Sequence, residues 1–188
     1  MQSNMQMGFM SGDSTGERQR EDYYKTPEHA TVALLKREQF SGWIWECACG
    51  DGAISKAILN SDPYNQSRVM STDVFDRGYG ETGVDFLHTH RAVDHIITNP
   101  PYRLAEEFVL HALECARNRV AMLLKLNFLE SKGRKEFFQR TPLRTVYVFS
   151  NRLSFDKGDE KGKDRGLLAY AWFIWEKNYH GKPWIDWI

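Results

Sequence analysis

Short apolar runs alternate with amphipathic stretches along the chain, and the two patterns predict different elements. A short apolar run is typical of a buried strand, whereas apolar positions spaced three and four apart are typical of a helix. The apolar runs predict strands at 42–46, 68–73, 94–98, 120–124, 145–150 and 167–175. The amphipathic stretches predict helices at 26–37, 53–60, 103–117 and 132–140. Because strands and helices alternate, we predict an α/β fold with a mainly parallel sheet flanked by helices.

Two details accompany these element predictions. Thr26 stands at the cap position of the first helix and Pro27 at its first helical position, where the missing N–H of proline costs little. Several tryptophans fall within predicted strands, and we expect them to belong mainly to the core: Trp43, Trp45, Trp172 and Trp175.

Length and composition fit a single domain. The chain has 188 residues, of which 41% are hydrophobic, and this is enough to bury a sizeable core. Residues 1–21 are rich in Met, Gln, Ser and Gly without any period. We therefore expect a flexible leader over 1–21, followed by one domain over 22–188.

The charge and cysteine counts exclude some classes of function. Basic and acidic residues number 25 each, so no overall field points to nucleic acid. Three cysteines make an odd count without framework spacing, and the N-terminus lacks the apolar core of a signal peptide. No apolar stretch approaches the roughly 20 residues that span a bilayer. The sequence therefore predicts a cytoplasmic protein with no membrane role.

A glycine turn joins the first predicted strand to the helix that follows it. Gly50 and Gly52 let the backbone approach a nucleoside closely, but Ser55 stands where the dinucleotide fingerprint has its third glycine. Asp51 lies inside the turn, where a carboxylate would repel a pyrophosphate and tolerate a cationic ligand. These residues disfavour NAD and favour S-adenosylmethionine, which carries a sulfonium and an ammonium.

Further carboxylates follow this turn. Asp73 ends the second predicted strand, 21 residues after Gly52, near the separation at which an acidic residue accepts hydrogen bonds from ribose hydroxyls. A solvated carboxylate at a strand end is the alternative interpretation. Asp85 and Phe86 offer a carboxylate and a ring at a loop position suited to an adenine, and ordinary loop packing is the alternative.

The tetrapeptide Asn99-Pro100-Pro101-Tyr102 follows an apolar run and carries the most specific chemistry of the chain. The two prolines fix φ at about −65° and remove two N–H donors. The Asn99 amide and the nearby carbonyls therefore become hydrogen-bond acceptors, with the Tyr102 ring beside them. Such a corner can hold and activate a planar amine. The alternative is a Pro-Pro turn that only closes a strand.

These motifs, taken in order, resemble the S-adenosylmethionine-dependent adenine-N6 methyltransferases of nucleic acid, especially the small phage-encoded type. The resemblance covers about residues 22–175 and rests on Thr26-Pro27, Glu46-x-x-x-Gly50-x-Gly52, Asp73, Asp85-Phe86 and Asn99-Pro-Pro-Tyr102. It implies a Rossmann-like class I methyltransferase fold in a single domain, with S-adenosylmethionine as the cofactor. The cofactor-binding residues that it implies are Tyr24, Thr26, Pro27, Glu46, Cys47, Ala48, Gly50, Gly52, Asp73, Asp85, Phe86 and Asn99.

The resemblance also implies that Asn99, Pro100, Pro101 and Tyr102 hold the target base. The lone pair of an exocyclic amine is delocalised into the ring, so acceptors must bind both N–H groups before the nitrogen becomes a good nucleophile. We expect Asn99 Oδ1 and the Pro100 carbonyl to accept these bonds, and Tyr102 to stack on a base flipped out of a duplex. No metal is required.

A direct methyl transfer of this kind needs no cysteine nucleophile. We therefore predict packing roles for Cys47 and Cys49. Larger members of the resembled family carry a separate target-recognition domain, whereas most residues after Tyr102 are needed here to finish the sheet. We expect short or loose recognition of DNA sequence.

Local charge points to a nucleic-acid contact late in the chain. Between Lys132 and Arg165 ten basic residues stand against five acidic ones. We predict DNA contacts in this region, and a solvated loop is the alternative for its second half. The predicted nucleic-acid-binding residues are Arg152, Phe155, Lys157, Lys161, Lys163 and Arg165.

Together these features predict an enzyme that transfers a methyl group from S-adenosylmethionine to the N6 amine of adenine in DNA. The same corner fits an RNA base amine or the side-chain amide of a protein glutamine, because each presents an sp² nitrogen with two N–H groups. A catalytically idle protein that binds cofactor or DNA is the alternative from another class. Intact Asn99 and Tyr102 argue against it.

Overall fold

A computed structural model describes residues 24–61, 68–155 and 168–188 of the chain. The predicted leader at 1–21 lies outside these ranges. So do four of the predicted nucleic-acid-binding residues: Lys157, Lys161, Lys163 and Arg165.

The described residues form an eight-stranded sheet. Its strands, in spatial order, are β3 (Glu81–Thr82), β2 (Val69–Asp73), β1 (Ile44–Glu46), β4 (Val93–Thr98), β5 (Ala116–Lys125), β7 (Tyr170–Glu176), β6 (Leu143–Val148) and β8 (Trp184–Trp187). Neighbouring strands are parallel except where β7 pairs with β5 and with β6. The prediction of a mainly parallel α/β sheet is confirmed.

Helices cover both faces of this sheet. They are α1 (Glu28–Leu35), α2 (Ala53–Ser61), α3 (Ala105–Cys115) and α4 (Lys132–Arg140). Side chains alternate between the faces along a strand, so Ile96 of β4 packs with α3 and α4 while its neighbour Ile97 packs with α1 and α2. In β1, Trp45 belongs to the same apolar cluster as Ile96, and Ile44 belongs to the same cluster as Ile97. The alternation produces two apolar clusters, one on each side of the sheet.

The first helix begins later than its sequence pattern predicts. Pro27, with φ −61° and ψ 133°, occupies the position before α1, and no side chain caps that helix. Thr26 is therefore not the capping residue, and that prediction is wrong. The physical reason is a competing partner, because the Thr26 hydroxyl accepts a hydrogen bond from Asn99.

One of the four tryptophans predicted for the core lies at the surface. Trp43 is 53% exposed, whereas Trp45, Trp172 and Trp175 are fully buried. The strand starts only at Ile44. Trp43 precedes it, and its backbone N–H donates to Asp94 Oδ2 at 2.8 Å in a turn outside the core.

Other boundaries also differ from the sequence pattern. Residues Tyr102–Leu104 form a 3₁₀ turn before α3, and β5 starts at Ala116 rather than at 120, because exposed polar residues open the strand. The edge strands β3 and β8 were not predicted. Their side chains are mostly exposed, so they lack the buried run on which the prediction depends. No helix within the described ranges is long and apolar enough to cross a membrane.

Candidate active site

A cavity of about 340 Å³ lies where the carboxyl ends of β1, β2 and β4 meet. Parallel strands end at a common edge, and in α/β sheets ligands bind in the crevice outside that edge. Glu46 ends β1, Asp73 ends β2, and Asn99 directly follows β4. Motifs that are far apart in sequence are thus brought together by the topology of the sheet.

Most of the predicted cofactor and corner residues line this cavity. They are Tyr24, Thr26, Glu46, Cys47, Ala48, Asp73, Asp85, Phe86, Asn99, Pro100, Pro101 and Tyr102. Pro27, Gly50 and Gly52 do not belong to the lining. The glycines instead shape the turn: Gly52 has φ +79°, and a Cβ added there would lie 2.3 Å from the Tyr79 ring. This close approach requires glycine.

The side chain of Asn99 is held in one orientation. Its Nδ2 donates to Thr26 Oγ1 at 3.1 Å and to the Tyr24 carbonyl oxygen at 3.5 Å. A carbonyl oxygen can only accept, so the NH₂ group must face Tyr24. Asn99 Oδ1 is buried and accepts no hydrogen bond from any residue that the structure describes. A buried acceptor without a partner is costly in an isolated protein and is well suited to an N–H group of a ligand.

Aromatic rings cluster around the same corner. The Tyr102 ring stacks near Tyr24, with centroids 6.0 Å apart, and lies 5.9 Å from Tyr170. Phe155 packs at 4.6 Å from Tyr170 and at 6.1 Å from Tyr24. Burial raises the pKa of Tyr102 well above its ordinary value, so its ring is neutral. The corner therefore borders an aromatic surface.

Of the two predicted nucleic-acid-binding residues that are described, Phe155 is buried in this aromatic cluster and Arg152 is exposed. Neither lines the cavity.

The Asp73 carboxylate fixes the glycine turn. Its Oδ2 accepts from the backbone N–H of Gly50 at 2.8 Å, and its Oδ1 accepts from the backbone N–H of Phe75 at 2.9 Å. The residue is buried yet lines the cavity. Asp73 is thus not a freely solvated carboxylate, and each oxygen retains capacity for another hydrogen bond.

Glu46 is a buried acid in the wall of the cavity. Its Oε2 accepts from the backbone N–H of Ser55 at 2.8 Å and from the Ser55 hydroxyl. Burial raises the pKa of Glu46 to about 8, and the charges of Asp51 and Asp73 act in the same direction, against the lowering effect of Ser55. Several carboxyl groups thus crowd one cavity, an arrangement that a cationic ligand would relieve.

Two other carboxylates of the lining already have partners. Asp51 forms an ion pair with Lys25 at 2.8 Å. Asp85 accepts from the backbone N–H of Leu87 at 3.0 Å and contacts His88 Nδ1 at 2.8 Å. The Phe86 ring is buried in the core and also belongs to the lining of the cavity.

The cysteines near the cavity are un-ionised. Burial raises the pKa of Cys49 to about 12 and moves that of Cys47 well above its ordinary value. Both are buried and free of disulfides. Because the thiolate is the reactive form, these residues act as small packing groups. Among the residues described, no group of three or more His, Cys, Asp or Glu side chains is arranged to hold a metal ion.

Some lining residues were not found from the sequence. Val74, Phe75 and Arg77 line the cavity from the segment after β2, and Leu104 and Phe108 line it from the start of α3. Their position directly after Asp73 and Tyr102 is the available signal, because segments that follow the carboxyl ends of parallel strands border the crevice.

Solved structures share this fold. One is a provisionally assigned modification subunit of a type I restriction enzyme from Vibrio vulnificus, with TM-score 0.65, 15% identity and coverage of 93% of this chain and 50% of that one. A provisionally assigned class I S-adenosylmethionine-dependent methyltransferase from Listeria monocytogenes has TM-score 0.63 and 11% identity. The match covers 87% of this chain and 65% of that one. A provisionally assigned RNA methyltransferase from Pyrococcus horikoshii has TM-score 0.59 and 14% identity. The match covers 83% of this chain and 87% of that one.

The chain therefore has the Rossmann-like fold of class I methyltransferases, as predicted. It spans half the length of the Vibrio vulnificus protein and 65% of the Listeria monocytogenes protein. No protein-family model matches the chain, and no curated protein matches it either.

Proposed function

We propose that this protein is an S-adenosylmethionine-dependent methyltransferase that acts on the N6 amine of adenine in DNA. The observation that carries the proposal is the Asn99 amide, whose NH₂ group is anchored by Thr26 while its buried Oδ1 has no partner among the described residues. A donor on the substrate, such as an amine N–H, would complete this site.

The cavity fits a cationic nucleoside cofactor. Its wall holds the carboxyl groups of Glu46, Asp51 and Asp73 at the carboxyl ends of two parallel strands. Thr26 and the glycine turn would hold the methionine end, Asp73 the ribose, and Asp85 with Phe86 the adenine. The cofactor supplies a methyl group on a positively charged sulfur. Similarity in fold to a class I S-adenosylmethionine-dependent methyltransferase supports this assignment.

The corner would activate the target amine. Asn99 Oδ1 and the Pro100 carbonyl each accept one N–H of the amine, which reduces the overlap of its lone pair with the ring. The fixed prolines keep both acceptors in place, so little reorganisation is needed during the reaction. After transfer, the amine nitrogen gives one of its two protons to water. No residue has to form a covalent bond to the substrate.

The aromatic surroundings favour a base over a protein amide. Tyr102 and Tyr24 present a ring surface beside Asn99, which suits stacking on a flipped base and offers less to an aliphatic glutamine side chain. Similarity to a modification subunit of a restriction enzyme favours DNA, and similarity to an RNA methyltransferase keeps an RNA base amine as the second candidate. Arg152 and the basic residues at 157–165 would add contacts to the nucleic acid, whereas the burial of Phe155 removes it from the predicted contacts.

A labelled-methyl assay tests the proposal. Purified protein is incubated with cofactor carrying a tritiated methyl group and with DNA, RNA or cell protein in separate reactions, and Asn99→Ala serves as the control. We expect label in DNA from the wild type only. Label confined to RNA or protein would refute the DNA assignment, and equal transfer by Asn99→Ala would refute the role of the corner.

A further inference from the structure

A second cavity lies beside the corner. It measures about 450 Å³ and shares Tyr102 with the cofactor cavity. Its lining includes Arg103, Lys125, Phe128 and Arg134. Lys125 ends β5, which runs parallel to β4, so the carboxyl end of β5 lies next to the start of the Asn99–Tyr102 corner. The sheet topology thus places this cavity next to the proposed target site.

Cations dominate the polar part of this cavity. Lys125 Nζ lies 4.7 Å from the centroid of the Tyr102 ring. Within the described part of the chain, neither Arg103 nor Lys125 forms an ion pair with an acidic side chain. Arg134 pairs with Glu106 at 2.8 Å, and Glu130 is the acidic residue of the lining. Two unpaired cations therefore face a cavity with one carboxylate in its wall.

Aromatic surface accompanies these cations. The Arg134 guanidinium carbon lies 3.8 Å from the centroid of the Phe128 ring, a cation–π contact in the wall of the cavity. Unpaired cations next to aromatic and guanidinium planes are the combination with which proteins bind the backbone and bases of a nucleic-acid strand. A purely apolar ligand would leave Lys125 and Arg103 without a partner.

We propose that this second cavity binds the phosphodiester adjoining the target nucleotide, through Lys125 and Arg103. The inference rests on the proposed function, since it assigns the strand that carries the target base. A phosphate bound by Lys125 would also hold the ammonium over the Tyr102 ring, so that backbone binding and the position of the stacking ring are linked. Arg103 directly follows Tyr102 in the chain and lines the same cavity, so it would bind the same strand.

Charge-removing variants test this assignment. Lys125→Gln and Arg103→Gln are compared with Lys36→Gln, which removes one exposed cation directly after α1, outside the cavity and outside the basic region at 132–165. The probe is a fluorescent single-stranded oligonucleotide with one adenine, and its affinity is measured over a range of salt concentrations. We expect each of the first two variants to bind about tenfold more weakly at low salt. The slope of log affinity against log salt concentration should become shallower by about 0.7 in each. Lys36→Gln and Lys125→Arg should resemble the wild type.

A neutral backbone linkage locates the contact. Methylphosphonate replaces one phosphate at a time in the same oligonucleotide. We expect the wild type to lose affinity when a linkage next to the adenine is neutral, and Lys125→Gln to show no additional loss there. Cofactor affinity and melting temperature should not change in any variant, which excludes a general loss of structure.

Different outcomes separate the inference from the proposed function. If the wild type methylates nucleic acid while Lys125→Gln and Arg103→Gln behave like Lys36→Gln, only the phosphodiester site is refuted. If inorganic phosphate displaces the oligonucleotide at low millimolar concentration and neutral linkages have no effect, the cavity binds free anions and the inference is wrong. If the wild type binds cofactor yet neither binds nor methylates nucleic acid, or methylates only protein, both proposals are refuted.

Discussion

The Thr26 hydroxyl accepts a hydrogen bond from the Asn99 side-chain amide at 3.1 Å, although 73 residues separate the two in sequence. The segment before α1 is thereby tied to the corner after β4. Thr26 has no role in capping its own helix. The bond fixes which end of the Asn99 amide faces the substrate, so we expect Thr26 to act as a positioning residue.

Removing the Thr26 hydroxyl should lower turnover. Thr26→Val keeps the shape of the side chain and deletes the acceptor, which frees the Asn99 amide to rotate. We expect turnover to fall about ten- to a hundredfold, a larger change than any in cofactor affinity. Thr26→Ser restores the hydroxyl and should remain within about threefold of the wild type. Steady-state kinetics with calorimetry measure both quantities, and equal turnover in Val and Ser variants would contradict the positioning role.

Asp73 should be important for cofactor affinity. Asp73→Ala removes the acceptor for Gly50 and for the ribose hydroxyls, and we expect binding of S-adenosylmethionine to weaken by about 1 to 3 kcal/mol. Asp76→Ala is the matched control, because this exposed carboxylate accepts from the backbone N–H of Gly78 in a nearby turn and does not line the cavity. Calorimetry measures both variants. Unchanged affinity in Asp73→Ala would refute the proposed orientation of the cofactor.

The raised pKa of Glu46 should appear as a pH-dependent stability. The folded state holds this proton up to a pKa of about 8, whereas the unfolded chain releases it near the model-compound value of 4.5. The folded state therefore binds more protons between these values, and this group lowers the unfolding free energy as pH rises from about 4.5 to 8. The unfolding free energy falls by at most about 1.4 kcal/mol per pH unit through this group.

Glu46→Gln provides the comparison, since glutamine resembles the protonated acid and does not titrate. We expect the unfolding free energy of the variant to rise relative to that of the wild type as pH rises from 5 to 8. The pH dependence of this difference should correspond to one titrating proton. Urea unfolding of both proteins at several pH values measures the difference. A constant difference over this range would show that Glu46 is already ionised at pH 5.

The basic residues at 157–165 should contribute sequence-independent affinity for DNA. Alanine at Lys157, Lys161, Lys163 and Arg165 together should weaken binding at low salt and flatten its salt dependence, by about 0.9 slope units for each lost contact to duplex DNA. Cofactor affinity and melting temperature should stay nearly unchanged. An unaltered salt slope in the quadruple variant would show that these residues are solvated surface only.

The sequence was most informative about candidate site residues that belong to contiguous motifs at strand ends. Asp73 and the Asn99 corner could be placed because parallel strands end at a common edge, so motifs that follow strands converge whatever their separation in the chain. The glycine turn was predicted for the same reason. Local chemistry and a regular topology were sufficient to predict where these residues lie.

Long-range partners could not be predicted in this way. Nothing local distinguishes a capping threonine from one that holds Asn99, and nothing around Lys125 shows that its ammonium lies over the Tyr102 ring. The exposure of Trp43 follows from a strand that begins at Ile44, two residues later than the sequence predicts. Such features depend on which segments meet in three dimensions, and a pattern along the chain does not contain that information.

The central claim is that the Asn99 corner directs methyl transfer to adenine N6 in DNA. Its most direct test is nucleoside analysis of DNA from a methylation-free host that expresses either the wild type or Asn99→Ala at equal levels. We expect N6-methyladenine in the wild-type sample and at least about a hundredfold less with Asn99→Ala, whose purified form should still bind cofactor within a few fold. Methyl groups on a different base, their absence from wild-type DNA, or equal N6-methyladenine from both proteins would contradict the claim.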